Sequence, residues 1–120
     1  MKILIVEDEP FNIIVLEEMI GIFHPDAKIT SVKNGKLGYE ILQTENFDLI
    51  LSDISMPVMD GYELIQKIKK ELKLETPAVA VTAFAIQGDK EKLLLAGFDD
   101  YISKPIDMSL LEGILNKYKV

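Results

Sequence analysis

The chain has no cysteine. That absence removes disulfides, thiolate zinc sites and cysteine nucleophiles together. Its one histidine, His24, lies in a His24-Pro25-Asp26 turn. No second ligand type lies beside it, so it reads as a turn residue rather than a metal ligand. No apolar run is long enough to span a membrane. The start, Met1-Lys2-Ile3-Leu4-Ile5-Val6-Glu7, holds an apolar run too short for a signal peptide. A cytoplasmic protein with no membrane partner is the expectation. Basic residues are also in deficit: 13 Lys and Arg against 20 Asp and Glu leave a formal charge of -7. With no cationic surplus to displace counterions, direct nucleic-acid binding is not expected. Internal repeats, low-complexity tracts and linkers are missing too.

What is present fits one domain over residues 1–120. That length can bury a single core, and 48% hydrophobic with 28% charged residues is ordinary for a globular chain. Apolar runs alternate with amphipathic segments. Strands are expected at Lys2–Val6, Lys28–Val32, Phe47–Ser52, Ala78–Val81 (opened by Pro77 and ending in Thr82) and Tyr101–Ser103. Helices are expected between and after them. The first runs over Phe11–Phe23, with Pro10 in its first turn, Asp8 or Glu9 as cap, and Asn12, Val15, Leu16, Met19, Ile20 and Phe23 on its inner face. The second carries Leu37, Tyr39, Ile41 and Leu42 beyond the Asn34-Gly35 turn. The third starts near Asp60 or Gly61 and finishes in Lys67-Ile68-Lys69-Lys70. The fourth spans Gly88–Ala96, closed by Gly97. The last spans Met108–Tyr118, capped by Asp107. Five βα units in succession imply an α/β fold: a parallel sheet with helices on both faces.

All strand ends of a parallel sheet point one way, and ligands bind outside them. The first strand ends in Glu7 and Asp8, the third in Asp53, the fourth in Thr82 and the fifth in Lys104. Crowded carboxylates repel each other, and a divalent cation relieves that. An all-oxygen set with room for water suits Mg2+. Asp53 could then act as a carboxylate nucleophile and become an aspartyl phosphate, with Lys104 and Thr82 holding phosphoryl oxygens. An ionised carboxylate needs no general base.

These residues carry a resemblance over essentially the whole chain. Glu7-Asp8, the Met56-Pro57-Val58-Met59-Asp60-Gly61 turn after Asp53, Thr82-Ala83 and Lys104-Pro105 together resemble a CheY-like response-regulator receiver domain. The wording of Gly97-Phe98-Asp99-Asp100-Tyr101-Ile102-Ser103-Lys104-Pro105-Ile106 is most similar to receivers of hybrid histidine kinases. The resemblance implies a flavodoxin-like (βα)5 three-layer sandwich with strand order 2-1-3-4-5. It implies that Asp53 accepts a phosphoryl group from the phosphohistidine of a histidine kinase or histidine phosphotransfer protein. It also implies Mg2+ on Asp8, Asp53 and the Ser55 backbone carbonyl, with Glu7 acting through water. Thr82 and Tyr101 would move together as a switch, and the Lys104–Pro105 bond would be cis. Output would pass through the fourth helix, fifth strand and fifth helix, to a downstream protein or to a second copy. Such a chain is a phosphoacceptor signalling domain rather than an enzyme, promoting its own phosphotransfer and a slow dephosphorylation. Glu7 departs from the commoner Asp at that position.

Several finer expectations follow. Ser55 and Phe84 flank the site and should influence phosphoryl lifetime. Ile14 falls on the outer side of the first helix, with Phe11 at its margin, where the two could meet a partner's helix. Leu93, Leu94 and Leu95 are consecutive, so at least one is exposed. No output domain follows Val120, leaving a single-domain regulator or an excised receiver. A flavin protein of this fold would want a Ser/Thr/Gly-rich phosphate loop where Glu7-Asp8-Glu9 stands. An aspartyl-phosphate hydrolase would need an acid/base beside the nucleophile. A receiver-like interaction module that is never phosphorylated is the remaining alternative.

Overall fold

The computed structural model describes residues 1–83 and 87–119, apart from the side chains at 87 and 88. Phe84, expected beside the site, lies outside the described residues. The elements are β1 (Lys2–Val6), α1 (Pro10–Phe23), β2 (Lys28–Val32), α2 (Gly35–Leu42), β3 (Leu49–Ser52), α3 (Gly61–Gln66), β4 (Ala78–Thr82), α4 (Gln87–Ala96), β5 (Asp100–Ser103) and α5 (Met108–Tyr118). The strands form one parallel sheet of order β2-β1-β3-β4-β5.

Alternation along the strands builds two cores. Leu4, Val6, Ile50, Ala78 and Ala80 meet Leu64, Ile65, Ile68 and Leu93 on one face. Ile3, Ile5, Leu49, Leu51, Val79 and Val81 meet Leu16, Ile20, Leu111 and Leu115 on the other. Burial on both faces is why β1, β3 and β4 read as near-continuous apolar runs. Acidic or amide side chains open four helices. Glu9, Asn34, Asp60 and Asp107 accept from the N–H groups of Phe11, Leu37, Glu63 and Leu110.

Apart from one-residue shifts at the ends of α1, β4, α4 and β5, three features differ from the sequence expectation. β3 starts at Leu49 rather than Phe47. The Asp48 carboxylate accepts the Lys2 N–H at 2.7 Å, while the Asp48 N–H donates to the Lys2 carbonyl at 2.7 Å, which closes the ladder with a side chain. α3 gives way to a π-helical turn, Lys67–Glu71, in which the Leu72 N–H reaches back to the Lys67 carbonyl at 2.9 Å. The wider turn keeps Ile68 buried while Leu72 and Leu74 pack on the same core. In α1 the inner face centres on Leu16 and Ile20, with Asn12 only half-buried. The outward placement of Ile14 (52% exposed) and Phe11 (68%) is as expected, and so is exposure among the consecutive leucines: Leu93 1%, Leu94 49%, Leu95 88%.

Two glycines separate close approach from mere helix weakening. At Gly61 a Cβ would collide with the Asp53 carbonyl oxygen and lie 2.8 Å from the Ile54 Cα, both rigid backbone. At Gly113, inside α5, a Cβ meets nothing within 4 Å. Gly61→Ala is therefore expected to destabilise the chain by about 2–3 kcal/mol. Gly113→Ala should stabilise it by about 0.5–1 kcal/mol through helix propensity. Urea unfolding of both variants checks the pair, and equal effects would contradict the packing around Gly61.

Candidate functional site

The acid cluster forms because β1 and β3 are neighbours and end level with each other: Val6 pairs with Ser52. The Glu7 N–H donates to Val32 at 3.0 Å and the Asp53 N–H to Val6 at 2.8 Å, so both carboxylate-bearing residues are fixed by the sheet's last rungs. Glu7, Asp8 and Asp53 bring carboxylate oxygens within 4.8 Å of one another. Glu7 and Asp53 are buried, at 2% and 7% exposure, while Asp8 faces solvent. One Asp53 oxygen, Oδ1, accepts the Ile54 N–H at 2.7 Å. The Glu7 Oε2 accepts the Asp8 N–H at 3.0 Å.

Lys104 enters from the far strand. Its N–H donates to the Thr82 carbonyl at 2.9 Å, and the Lys104–Pro105 peptide bond is cis. Its Nζ lies 2.7 Å from Glu7 Oε1 and 3.3 Å from Asp53 Oδ2. The sequence pointed to Lys104 beside Asp53. It gave no sign that the lysine's shorter contact is to Glu7, a pairing that only the extra methylene and the burial of Glu7 reveal.

Electrostatics follow from this crowding. Burial pushes the Glu7 carboxyl above its ordinary value of 4.5, and the hydrogen bond and charge of Asp53 push it further, against an opposing pull from Lys104. For Lys104, burial alone lowers the ammonium pKa. The hydrogen bond to Glu7 and the charges of Asp53 and Glu7 outweigh that and leave it raised.

Thr82 ends β4 and is buried. Its strand pairs Ala80 with Tyr101 and Thr82 with Ser103, so Thr82 and Tyr101 share the sheet face covered by α2, α3 and α4. Ser55 is exposed, two residues beyond Asp53. Beyond it the loop makes a tight turn that no glycine signals. The Met59 N–H donates to Pro57 at 2.8 Å, and Val58 takes φ +69. This conformation strains a β-branched residue. The Gly35 N–H on the Met59 carbonyl (3.0 Å) and the Gly61 N–H on Ile54 (2.8 Å) pin the turn. It leaves Val58 74% exposed.

The sequence-predicted residues Glu7, Asp8, Asp53 and Lys104 thus converge on one cleft, and Thr82 borders it through Lys104. His24 does not belong to it. That side chain lines a small cavity with Met1, at the opposite end of β1. A donor set of oxygens alone, two buried and one open to water, fits a hard divalent cation better than zinc.

The response regulator receiver domain model matches residues 3–116. The chain belongs to that family. The receiver is 39% identical over 120 residues to hybrid signal transduction histidine kinase G of Dictyostelium discoideum, a match covering 98% of this chain and 4% of that protein. It therefore spans a small part of this much longer relative. Among solved structures it is similar to the receiver domain of sensor histidine kinase PA1611 from Pseudomonas aeruginosa, at TM-score 0.84 and 36% identity over 98% of this chain and 95% of that one. That structure holds a magnesium ion coordinated in its active site cleft. It is also similar to a Saccharomyces cerevisiae complex of the histidine phosphotransfer protein Ypd1 with the receiver domain of Ssk1, at TM-score 0.85 and 29% identity over 98% of this chain and 88% of that one. The receiver fold and its strand order are those the resemblance implied.

The raised pKa of Glu7 sets a pH dependence. The folded chain keeps a proton on Glu7 at pH values where the unfolded chain has lost it. Glu7 therefore costs stability as pH rises above 4.5 and through its folded value. Glu7→Gln cannot titrate, so without metal its stability relative to the parent should climb across that interval and then level off. Urea midpoints in chelator from pH 4 to 8 test this, and parallel curves for the two proteins would contradict it.

Proposed function

We propose that residues 1–120 act as one receiver domain in which Asp53 takes a phosphoryl group from the phosphohistidine of a histidine kinase or histidine phosphotransfer protein. The observation that carries this reading is the packing of Glu7, Asp8 and Asp53 within 4.8 Å, with the Lys104 ammonium on both buried members. Asp8, Asp53 and the Ser55 backbone carbonyl would hold Mg2+ directly, and Glu7 through water. When bound, the ion supplies positive charge against the acid cluster and the incoming phosphoryl oxygens.

The chain's own residues account for the transfer. An Asp53 carboxylate oxygen attacks phosphorus, an O–P bond forms, and the P–N bond breaks with its electron pair left on the donor imidazole. The fold delivers this carboxylate from the end of β3, beside the other acids of the cluster. Lys104 and the Thr82 hydroxyl hold phosphoryl oxygens as charge spreads over them. Thr82 is drawn toward the phosphoryl group, and Tyr101, on the same sheet face, turns into the space released. The α4–β5–α5 face then presents a changed surface to a downstream protein or a second copy. A cleft of about 500 Å3 between β5 and α5, bordered by Tyr101 and Leu110, lies on that face. A slow dephosphorylation of Asp53 is part of the proposal. Among the described residues no helix is long and apolar enough to cross a membrane, and a cytoplasmic setting is part of the proposal.

The donor docks where Phe11 and Ile14 on α1 and Val58 in the loop after Asp53 expose apolar side chains near the acid cluster. Intact mass after exposure to a small phosphodonor with Mg2+ tests the reading. The parent should gain one phosphoryl group and Asp53→Asn none. Ile14→Asp should still be labelled by the small donor but lose at least tenfold in rate from a phosphohistidine protein. An unmodified parent would instead favour a phosphorylation-independent interaction module.

A further inference from the structure

Helix α4 is tied down unevenly. At its C-terminal end Gly97 takes φ +122, the Phe98 N–H donates to the Leu93 carbonyl at 3.2 Å and the Gly97 N–H to the Leu94 carbonyl at 3.2 Å. These are the paired bonds of a Schellman end. Phe98 is buried, the Gln66 side-chain amide donates to the Ala96 carbonyl at 2.9 Å, and the Asp99 carboxylate accepts the Ala78 N–H at 2.8 Å. This end cannot move without breaking buried contacts. Among the side chains described in α4, Leu93 is the only fully buried one, and it too lies toward this end, so no described side chain in the N-terminal half is fully buried.

Two lysines compensate. At 100° per residue, Lys90 and Lys92 fall on opposite flanks of the stripe through Leu93. Each ends over a tyrosine ring. Lys90 Nζ lies 5.4 Å from the centroid of Tyr101 on β5, and Lys92 Nζ lies 4.7 Å from the centroid of Tyr62 on α3. The helix is clasped between two rings by cation–π contacts. Beneath the Lys92–Tyr62 contact a cavity of about 270 Å3 extends to Thr82, Ile54, Asp89 and Leu93. There is room between Thr82 and α4 for side chains to rearrange.

The clasps are not equivalent. Tyr62 lies in the first turn of α3, two residues after its Asp60 cap, and is not on the sheet that carries Thr82 and Tyr101. Tyr101 shares its sheet face with Thr82. We propose that the Lys90–Tyr101 contact is a restraint on the receiver's switch. It stabilises the unphosphorylated arrangement and is lost when the ring turns inward, freeing the N-terminal half of α4 to move about its fixed C-terminal end. The Lys92–Tyr62 contact retains the helix in both arrangements. This rests on the phosphoacceptor reading of Asp53 given above.

Titration of the 120-residue chain with beryllofluoride and Mg2+, followed by fluorine NMR and amide hydrogen exchange, tests the restraint. Lys90→Gln should tighten the apparent affinity roughly two- to fivefold, the factor an exposed cation–π contact supplies. Loss of a positive charge would by itself weaken binding of an anionic group, so the sign is diagnostic. Lys90→Arg, which keeps the ring contact, should behave as the parent. In a Tyr101→Leu background Lys90→Gln should no longer tighten binding, leaving at most the weakening that loss of the charge brings. Lys92→Gln should leave the affinity unchanged while speeding exchange at residues 89–93 with and without the adduct. Unchanged or weaker affinity in Lys90→Gln, or the same tightening without the Tyr101 ring, overturns the restraint. If the parent binds no beryllofluoride, the phosphoacceptor reading fails instead. The clasp is then judged by exchange in the free chain, where Lys90→Gln must speed residues 90–94 or the contact holds nothing.

Discussion

Like-charge repulsion is the constraint around which this molecule is arranged. Two carboxylates about 4–5 Å apart repel by roughly 3–4 kcal/mol at the effective dielectric of a protein cleft. Here three are drawn to within 4.8 Å, two of them buried. Sheet hydrogen bonds at Glu7 and Asp53 hold them there. The fold supplies one cation, Lys104, and spends its shortest contact on Glu7, the more deeply buried acid. A cluster built this way has a standing demand for further positive charge, which a divalent ion answers.

The rest of the chain reads as support for that arrangement. Order β2-β1-β3-β4-β5 places the two acid-bearing strands side by side, with the Thr82 and Lys104 strands following on one flank. Gly61 admits α3 close against the Asp53 backbone. The strain at Val58 is held by hydrogen bonds to Met59 and Ile54 on either side of it. Thr82 and Tyr101 lie on the face that α4 covers. That layer is packed separately from the opposite one, which Leu16, Ile20, Leu111 and Leu115 fill.

Much of this was legible in the sequence. β1, β2 and α5 have the residues expected for them, because β-branched runs bounded by acids, Pro and Asn-Gly leave little freedom. Asp60 and Asp107 cap the helices they precede. That Glu7, Asp8, Asp53 and Lys104 would converge was legible too, because the carboxyl ends of parallel strands all lie along one edge of the sheet. What escaped were pairings decided by reach across the chain. Nothing local marks Glu7 as the nearer partner of Lys104, or Lys90 and Lys92 as partners of Tyr101 and Tyr62. The π-helical turn at Lys67–Glu71 hides in an ordinary amphipathic pattern. Val58 is the residue type least expected at positive φ, so the tight turn left no trace in composition.

The central claim is that the acid cluster is held together at a cost that a divalent cation relieves. Melting temperature with and without Mg2+ measures this most directly, since an ion that binds only the folded cluster stabilises it by mass action. The parent should melt several degrees higher in millimolar Mg2+ than in chelator, and Asp8→Ala should show no such rise. An equal rise in both proteins would contradict ligation by this cluster, and no rise in either would remove the demand for a cation on which the site's chemistry depends.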